Sequence, residues 1–181
     1  MRIVAGVWRG RRIRPPVDSR VRPTADRVRE AWMSIVQADL ADARVVDLFA
    51  GSGALGLEAL SRGAASADFV EVSAAGVRAI RENAELLGAT AAISVHRGDV
   101  LRYIQKLAPG EFDVAFADPP YGHDLATAVA EQWLKVPFAH LIGIEHAAKE
   151  ELPPGDTRRY GSTAITFYRA ESARPDSDQS T

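Results

Sequence analysis

RVVDLFAGSGALGLEALSRG, residues 44–63, decides the fold. RVVDLF reads as a buried strand, AGSGALG turns on its glycines, and residues 54–61 read as a helix stopped by Arg62–Gly63. A strand that passes through a glycine-rich turn directly into a helix is the first half of a β-α-β unit. The same alternation continues downstream. ADFVEV (67–72) reads as a strand, and AAGVRAIRENAELLG as a helix with Val77, Ile80, Ala84 and Leu87 inward and Gly88 as its stop. AAISVHR (91–97) is a strand, DVLRYIQKL (99–107) a helix, and DVAFA (113–117) a strand that ends at Asp118. A helix through Val129 and Trp133 precedes the strand AHLIGIEHA (139–147). Alternation over residues 44–147 predicts an α/β fold, a parallel sheet with helices on both faces. Beyond it, PPGD is a turn and RRYGSTAITFYRA reads as two strands bent near Gly161.

Upstream of the alternation the character changes. RIVAGVW and RRIRPP read as two short strands around a turn at Arg9–Gly10, a basic hairpin with Trp8 at its tip. PVDSRVRP is a loop, and Thr24 reads as the N-cap of an amphipathic helix with Val28, Trp32, Ile35, Val36 and Leu40 on one stripe. Residues 1–32 hold nine arginines against three acids, a formal +6, so the rest carries −8 of the chain's net −2. The split points to a polyanionic partner such as nucleic acid, or to an arginine-rich solvated face; charge alone leaves both open. Arginine is the side chain that grips phosphates bidentately and stacks on bases.

The 181 residues suit one compact domain with a small appendage, and 46% apolar with 25% charged residues is ordinary for a globular protein. With no cysteine, disulfides, thiolate metal sites and a cysteine nucleophile are excluded. MRIVAGVWRGRR lacks a secretory h-region, and no run reaches the ~18 apolar residues of a membrane span, so a cytoplasmic protein with no membrane contact is expected. His96, His123, His140 and His146 have no metal-binding spacing, and no metal site is expected.

In parallel sheets of this kind ligands bind at the carboxyl ends of the strands. Acids stand at four such ends: Asp47, Glu71, Asp99 and Asp118. Gly51-x-Gly53-x-x-Gly56 matches the dinucleotide fingerprint, and Glu71, ending the next strand, can accept both ribose hydroxyls of an adenosine. Asp47, ahead of Gly51 on the strand beneath the loop, suits a cationic ligand better than a pyrophosphate. S-adenosylmethionine has a sulfonium, an ammonium and no phosphate, so it fits these residues better than a nicotinamide dinucleotide does. Asp99 could accept from the adenine amine or cap the following helix. The strand then halts on Asp118, Pro119, Pro120 and Tyr121, since two adjacent prolines cannot extend it. Asp118 and the Pro119 carbonyl are two acceptors able to aim the lone pair of an exocyclic amine, and Tyr121 is able to stack on a base.

The order DxFxGSGxxG, acid, acid, DPPY resembles that of class I S-adenosylmethionine-dependent methyltransferases, in their amino-group branch. The set IVAGVWRGRR, RPTADRVREAW, DLFAGSGALGLEALSRGA and DPPY resembles the bacterial small-subunit ribosomal RNA guanine-N2 methyltransferases of the RsmD type, from Ile3 to about Arg169. The resemblance implies a Rossmann-like methyltransferase fold, a mostly parallel seven-stranded sheet with an antiparallel last strand and a hairpin-helix extension. Its implied substrate is the N2 amine of one guanine in 16S rRNA, within the small subunit or a late assembly intermediate, with the enzyme a monomer. It assigns catalysis to Asp118, Pro119, Pro120 and Tyr121. Cofactor binding falls to Asp47, Phe49, Ala50, Gly51, Gly53, Glu71, Asp99 and Val100. From the residues themselves, Trp8, Arg9, Arg11 and Arg12 read as substrate contacts to RNA rather than a solvated hairpin. Arg22 and Thr24 read as substrate-binding residues closing over the site, or as residues that cap and solvate the helix. Between Arg27 and Arg29, helix geometry does not say which faces the site.

Three departures stand out from that family pattern. Ser73 replaces an acid often found two positions after Glu71, Met33 replaces a common phenylalanine as a core residue, and any sixth helix must be very short. The expected division is residues 1–41 as the basic extension, 42–170 as the methyltransferase domain, and 171–181 as a disordered tail without an apolar face. Alternatives are an adenine-N6 or protein-glutamine methyltransferase, a nicotinamide-dependent oxidoreductase sharing only the glycine loop, and a non-catalytic RNA-binding module.

Overall fold

The computed structural model describes residues 1–15 and 26–171. Within these, seven strands follow in chain order: β1 (Arg44–Leu48), β2 (Ser66–Glu71), β3 (Ile93–Arg97), β4 (Phe112–Ala117), β5 (Ala139–Ala147), β6 (Asp156–Tyr160) and β7 (Thr163–Arg169). They form one sheet in the order β3-β2-β1-β4-β5-β7-β6. The first five run parallel, while β7 is antiparallel to both β5 and β6, between which it inserts. The expected mostly parallel sheet with an antiparallel last strand is therefore observed. The chain passes from β5 to β6 without a helix.

Among the described residues, five helices cover the sheet: α1 (Asp26–Val36), α2 (Ala54–Ser61), α3 (Ala74–Leu87), α4 (Val100–Ile104) and α5 (Leu125–Lys135). One core lies where α1, α2 and α3 meet the sheet, built from residues such as Trp32, Met33, Leu57, Ile80, Val45 and Phe116. The other lies under α4 and α5, with Ile104, Val129 and Trp133 against Val46, Leu48 and Ala115. Burial of the sheet on both faces explains why its central strands read as continuous apolar runs rather than alternating ones. Ile3 and Ile13 of the N-terminal arm join the first core, so the extension shares its apolar centre with the sheet.

Three local expectations are corrected. The N-terminal segment pairs its two arms without forming two full strands. An antiparallel bridge at Arg2 and Arg12 is flanked by bonds from Ile3 N–H to the Arg11 carbonyl, Ile13 N–H to the Met1 carbonyl and Gly10 N–H to the Ile3 carbonyl, and the pairing goes no further. The reason is competition for backbone donors. Val4 and Ala5 N–H groups donate to the Glu58 carboxylate, Val7 N–H to the Ser61 carbonyl and Trp8 N–H to Ser61 Oγ. Second, α1 ends at Val36, and a 3-10 turn (Gln37–Asp39) then carries Leu40 into the core. Third, α4 stops at Ile104 rather than 107. Pro109 disfavours helix at the residue before it, and the chain tightens into i→i+3 bonds from Lys106 to Tyr103 and Leu107 to Ile104. Thr24, Arg22 and the loop expected at 16–23, and the tail from 172 onward, lie outside the described residues.

Gly56 lets α2 lie directly on the sheet. A Cβ there would sit 2.4 Å from Phe69 Cε1 and 3.3 Å from Asp47 Cβ. Gly56→Ala is therefore expected to lower unfolding stability by about 1–3 kcal/mol in urea titration.

Candidate active site

The central register sets the site. Leu48 is level with Val70 of β2 and with Ala117 of β4, so Phe49, Glu71 and Asp118 emerge beside one another at the carboxyl edge. Asp118 N–H still reaches the Leu48 carbonyl, at 3.5 Å, before the prolines end the pairing.

Asp47 lies below that edge, buried under α2, and its Oδ2 accepts from Gly56 N–H at 2.9 Å. Burial pushes its carboxyl well above the usual carboxylate range; the Gly56 bond opposes this, and the nearby Asp118 and Glu71 charges add to it. Phe49 then adopts a left-handed conformation at φ 60°, rare for an aromatic residue and the kind of strain that concentrates at ligand loops. From there Ala50 N–H bonds back to Val70, and Gly53 N–H to Ala50. The loop is thus folded against β2 before α2 begins.

Glu71 is held by the same loop. Its Oε2 accepts from Gly51 N–H at 2.8 Å, and its Oε1 from Ser73 N–H at 2.9 Å. A carboxylate offers about four acceptor positions, so two backbone donors orient it and leave capacity for two ribose hydroxyls. Ser73, where the family pattern often has an acid, caps α3 by accepting from Gly76 N–H at 3.0 Å. Asp99 is the N-cap of α4, accepting from Arg102 N–H at 2.9 Å, and is exposed beyond the end of β3, next to buried Val100. Both readings of Asp99 are compatible, because a capping carboxylate keeps further acceptor positions. The residues present fit an adenosine-bearing, positively charged cofactor: oriented acids around a glycine turn.

On the other side of Asp118, Pro119 is buried and Pro120 exposed. The Tyr121 hydroxyl donates to Glu145 Oε1 at 3.1 Å and pairs with Thr163 Oγ1 at 3.0 Å. Burial, together with the Glu145 and Asp118 charges, pushes its phenol up to about 12, against the lowering effect of the Thr163 bond.

The arm sits over the C-terminal end of α2. Glu58, fully buried, gathers Val4, Ala5 and the Arg62 guanidinium at 2.9–3.2 Å. Gly6, at φ +83°, lies so close to Ser61 that a Cβ would overlap its carbonyl oxygen. Asn83 of α3, also buried, pairs with both the N–H and the carbonyl of Arg14 at 2.8 Å and donates to the Ser52 carbonyl of the glycine loop at 3.0 Å. Trp8 is half-buried against the core, which makes it an anchor of the arm, while Arg9, Arg11 and Arg12 are exposed. Arg29 is the inward arginine, bonded to the Arg2 carbonyl and to Asp26, and Arg27 is exposed.

Sequence reasoning misses Glu58, Ser61, Asn83, Glu145 and Thr163. Asn83 does carry a signal, a polar residue on the inward stripe of its helix near Ile80. Glu58 and Glu145 carry another, lone charges within LGLEALS and AHLIGIEHA.

Residues 1–169 match the protein family described as "Conserved hypothetical protein 95", the RsmD family. The chain belongs to this family. In Bacillus subtilis, "Putative rRNA methyltransferase YlbH" is 33% identical over 181 residues, spanning 93% of this chain and 98% of that protein. "Ribosomal RNA small subunit methyltransferase D" of Escherichia coli K12 is 41% identical over 125 residues, 69% of this chain and 62% of that protein's length. Among solved structures, "Putative methyltransferase yhhF" from Escherichia coli superposes with a TM-score of 0.81 at 32% identity, over 95% of this chain and 98% of its own. The fold of this RsmD-family chain is the Rossmann-like methyltransferase fold. Among the described residues, no helix is long and apolar enough to cross a membrane.

The raised Asp47 carboxyl yields a linkage prediction. A cation bound at the strand ends favours its ionised form, so cofactor binding should release protons at pH values below the group's raised pKa. Affinity for S-adenosylmethionine should therefore rise with pH through that range, and rise less for S-adenosylhomocysteine, which lacks the sulfonium charge. Calorimetry in buffers of different ionisation enthalpy checks this.

Proposed function

We propose that this RsmD-family protein transfers a methyl group from S-adenosylmethionine to the exocyclic N2 amine of a guanine in 16S rRNA, in the small subunit or a late assembly intermediate. The observation that carries the reading is the juxtaposition, on neighbouring strands, of the Glu71-bound glycine loop and the Asp118–Tyr121 turn. The names of the relatives, ribosomal RNA methyltransferases, support the class of substrate. The cofactor is S-adenosylmethionine, held by the glycine loop and Glu71. When bound it supplies an electrophilic methyl on a sulfonium centre.

The chain's own residues then act on the amine. An exocyclic amine is a poor nucleophile because its lone pair is delocalised into the ring. Asp118 and the Pro119 carbonyl accept its two N–H bonds and draw it towards a pyramidal geometry, with the lone pair aimed at the methyl. The prolines fix those acceptors in advance, so alignment and electrostatics lower the barrier. The new N–C bond forms as the S–C bond breaks, and the surplus amine proton, acidic after methylation, passes to Asp118 or to water. Tyr121 stacks on the base, which must leave its own stack to reach the site.

Arg9, Arg11 and Arg12 bind RNA phosphates from an arm that Glu58 and Asn83 fix relative to the cofactor loop. Arg22 and Thr24 are assigned to substrate, on the family pattern. The protein works in the cytoplasm as a monomer.

The test is methyl transfer from labelled S-adenosylmethionine to unmethylated small subunits beside naked 16S rRNA, followed by nucleoside analysis. N2-methylguanosine is the expected product. N6-methyladenosine, methylglutamine or no transfer would overturn the reading. Replacing Arg9, Arg11 and Arg12 by Gln should weaken substrate binding and lower the slope of log affinity against log salt by up to about 3. An unchanged slope would remove the arm's assigned role.

A further inference from the structure

Tyr121 occupies a poor position for a precise stacking surface. It follows two prolines, is itself exposed, and is followed by the exposed residues Gly122, His123 and Asp124 before α5 begins at Leu125. A ring on such a loop would move between rotamers unless something outside the loop held it. Its hydroxyl is held from two other strands, by Glu145 of β5 at 3.1 Å and by Thr163, the first residue of β7, at 3.0 Å.

Glu145 is an unusual residue for its place. It lies within a strand whose neighbours Gly143 and Ile144 are buried, and it is itself 5% exposed. A buried carboxylate costs free energy unless it is hydrogen-bonded, and an apolar side chain would serve the strand better. The register also puts it beside the catalytic turn. Ile144 is level with Ala117, so Glu145 stands next to Asp118 across the β4–β5 pair. The Phe116 ring meets Trp32 on the α1 side of the sheet, a Cβ at Gly143 would point at the same indole, and alternation returns 118 and 145 to that side.

We propose that Glu145 is a positioning residue for the reaction, assisted by Thr163: it anchors the Tyr121 hydroxyl so that the ring presents a fixed face to the base held at Asp118. This rests on the reading of Tyr121 as the base-stacking ring. The raised phenol keeps the hydroxyl protonated and donating across the working pH range. The anchor grips only the hydroxyl end of a residue that stays 40% exposed, which suits a planar ligand slid over the ring. It also ties the catalytic turn after β4 to β5 and β7, converting an exposed loop into a braced one.

Two measurements test the proposal. The first needs no substrate. With 13C-labelled tyrosine, Tyr121 should titrate near 12 in the wild type and measurably lower in Glu145→Gln, which removes the charge while burial, the larger cause, stays. An unchanged titration would overturn the contact, whatever the protein's activity. The second is a double-mutant cycle on methyl transfer to unmethylated small subunits. Tyr121→Phe and Glu145→Leu should each lower kcat by about tenfold with unchanged affinity for S-adenosylhomocysteine. The double variant should be no worse than either single one, and Glu145→Gln, still an acceptor, should recover most of the rate. Additive losses, or no recovery in Glu145→Gln, would show that Glu145 does not act through the hydroxyl and would overturn the proposal. A wild type that transfers no methyl to RNA would instead overturn the proposed function, with the titration still deciding the contact.

Discussion

The parallel register of β1 between β2 and β4 is the constraint on which everything else rests. Asp47 is level with Phe69 on one side and Phe116 on the other, so three chain segments far apart in sequence reach the carboxyl edge together. A slip by a single position in either pairing would turn the following acid to the opposite face of the sheet. The register is protected by burial on both faces: Val45 packs under the α1–α3 layer, and Val46 and Leu48 under α4 and α5. Gly56 then lets α2 settle against Asp47 and Phe69, which closes the glycine loop over β1 and hands Gly51 N–H to Glu71.

Charge follows the same geometry. Asp118 and Glu71 lie close enough to Asp47 to raise the cost of its ionisation, an arrangement that favours a cation at the strand ends. The arm carries the opposite sign, and a fully buried carboxylate holds it. Glu58 takes the Val4 and Ala5 N–H groups and Arg62, so these two arm donors go to α2 instead of extending the pairing between the arms. Asn83 then links Arg14, just before the 16–25 segment, to Ser52 between the two loop glycines. The arginine-bearing arm and the glycine loop therefore share one buried amide.

What is legible in the sequence follows from how local its cause is. The helix at Ala54–Ser61 and the strand at Ala139–Ala147 can be read with their observed bounds, because glycines and apolar runs mark their ends within the segment. The acids at 71, 99 and 118 are legible because the order of strands and helices alone places them at one edge, with Asp47 just below it inside β1. The arm misleads as a pair of strands because its competing hydrogen-bond partners, Glu58 and Ser61, belong to a helix beyond the whole of α1 and β1. The packing of Trp8 against the core is hidden too, because it depends on a tertiary contact no local pattern reveals. Glu145 is hidden for the same reason: its meaning depends on Tyr121 after β4 and Thr163 at the start of β7, neither of them in its own segment.

The proposed function separates two tasks across one strand edge: the glycine loop and Glu71 for the cofactor, the turn at Asp118 for the amine. The most direct measurement of that separation compares Asp118→Ala with the wild type, by equilibrium dialysis of labelled S-adenosylmethionine and by single-turnover methyl transfer to unmethylated small subunits. The expected result is near-wild-type cofactor affinity with transfer reduced at least about 1000-fold. Near-normal transfer, or a loss of cofactor affinity large enough to explain the loss of transfer, would contradict it.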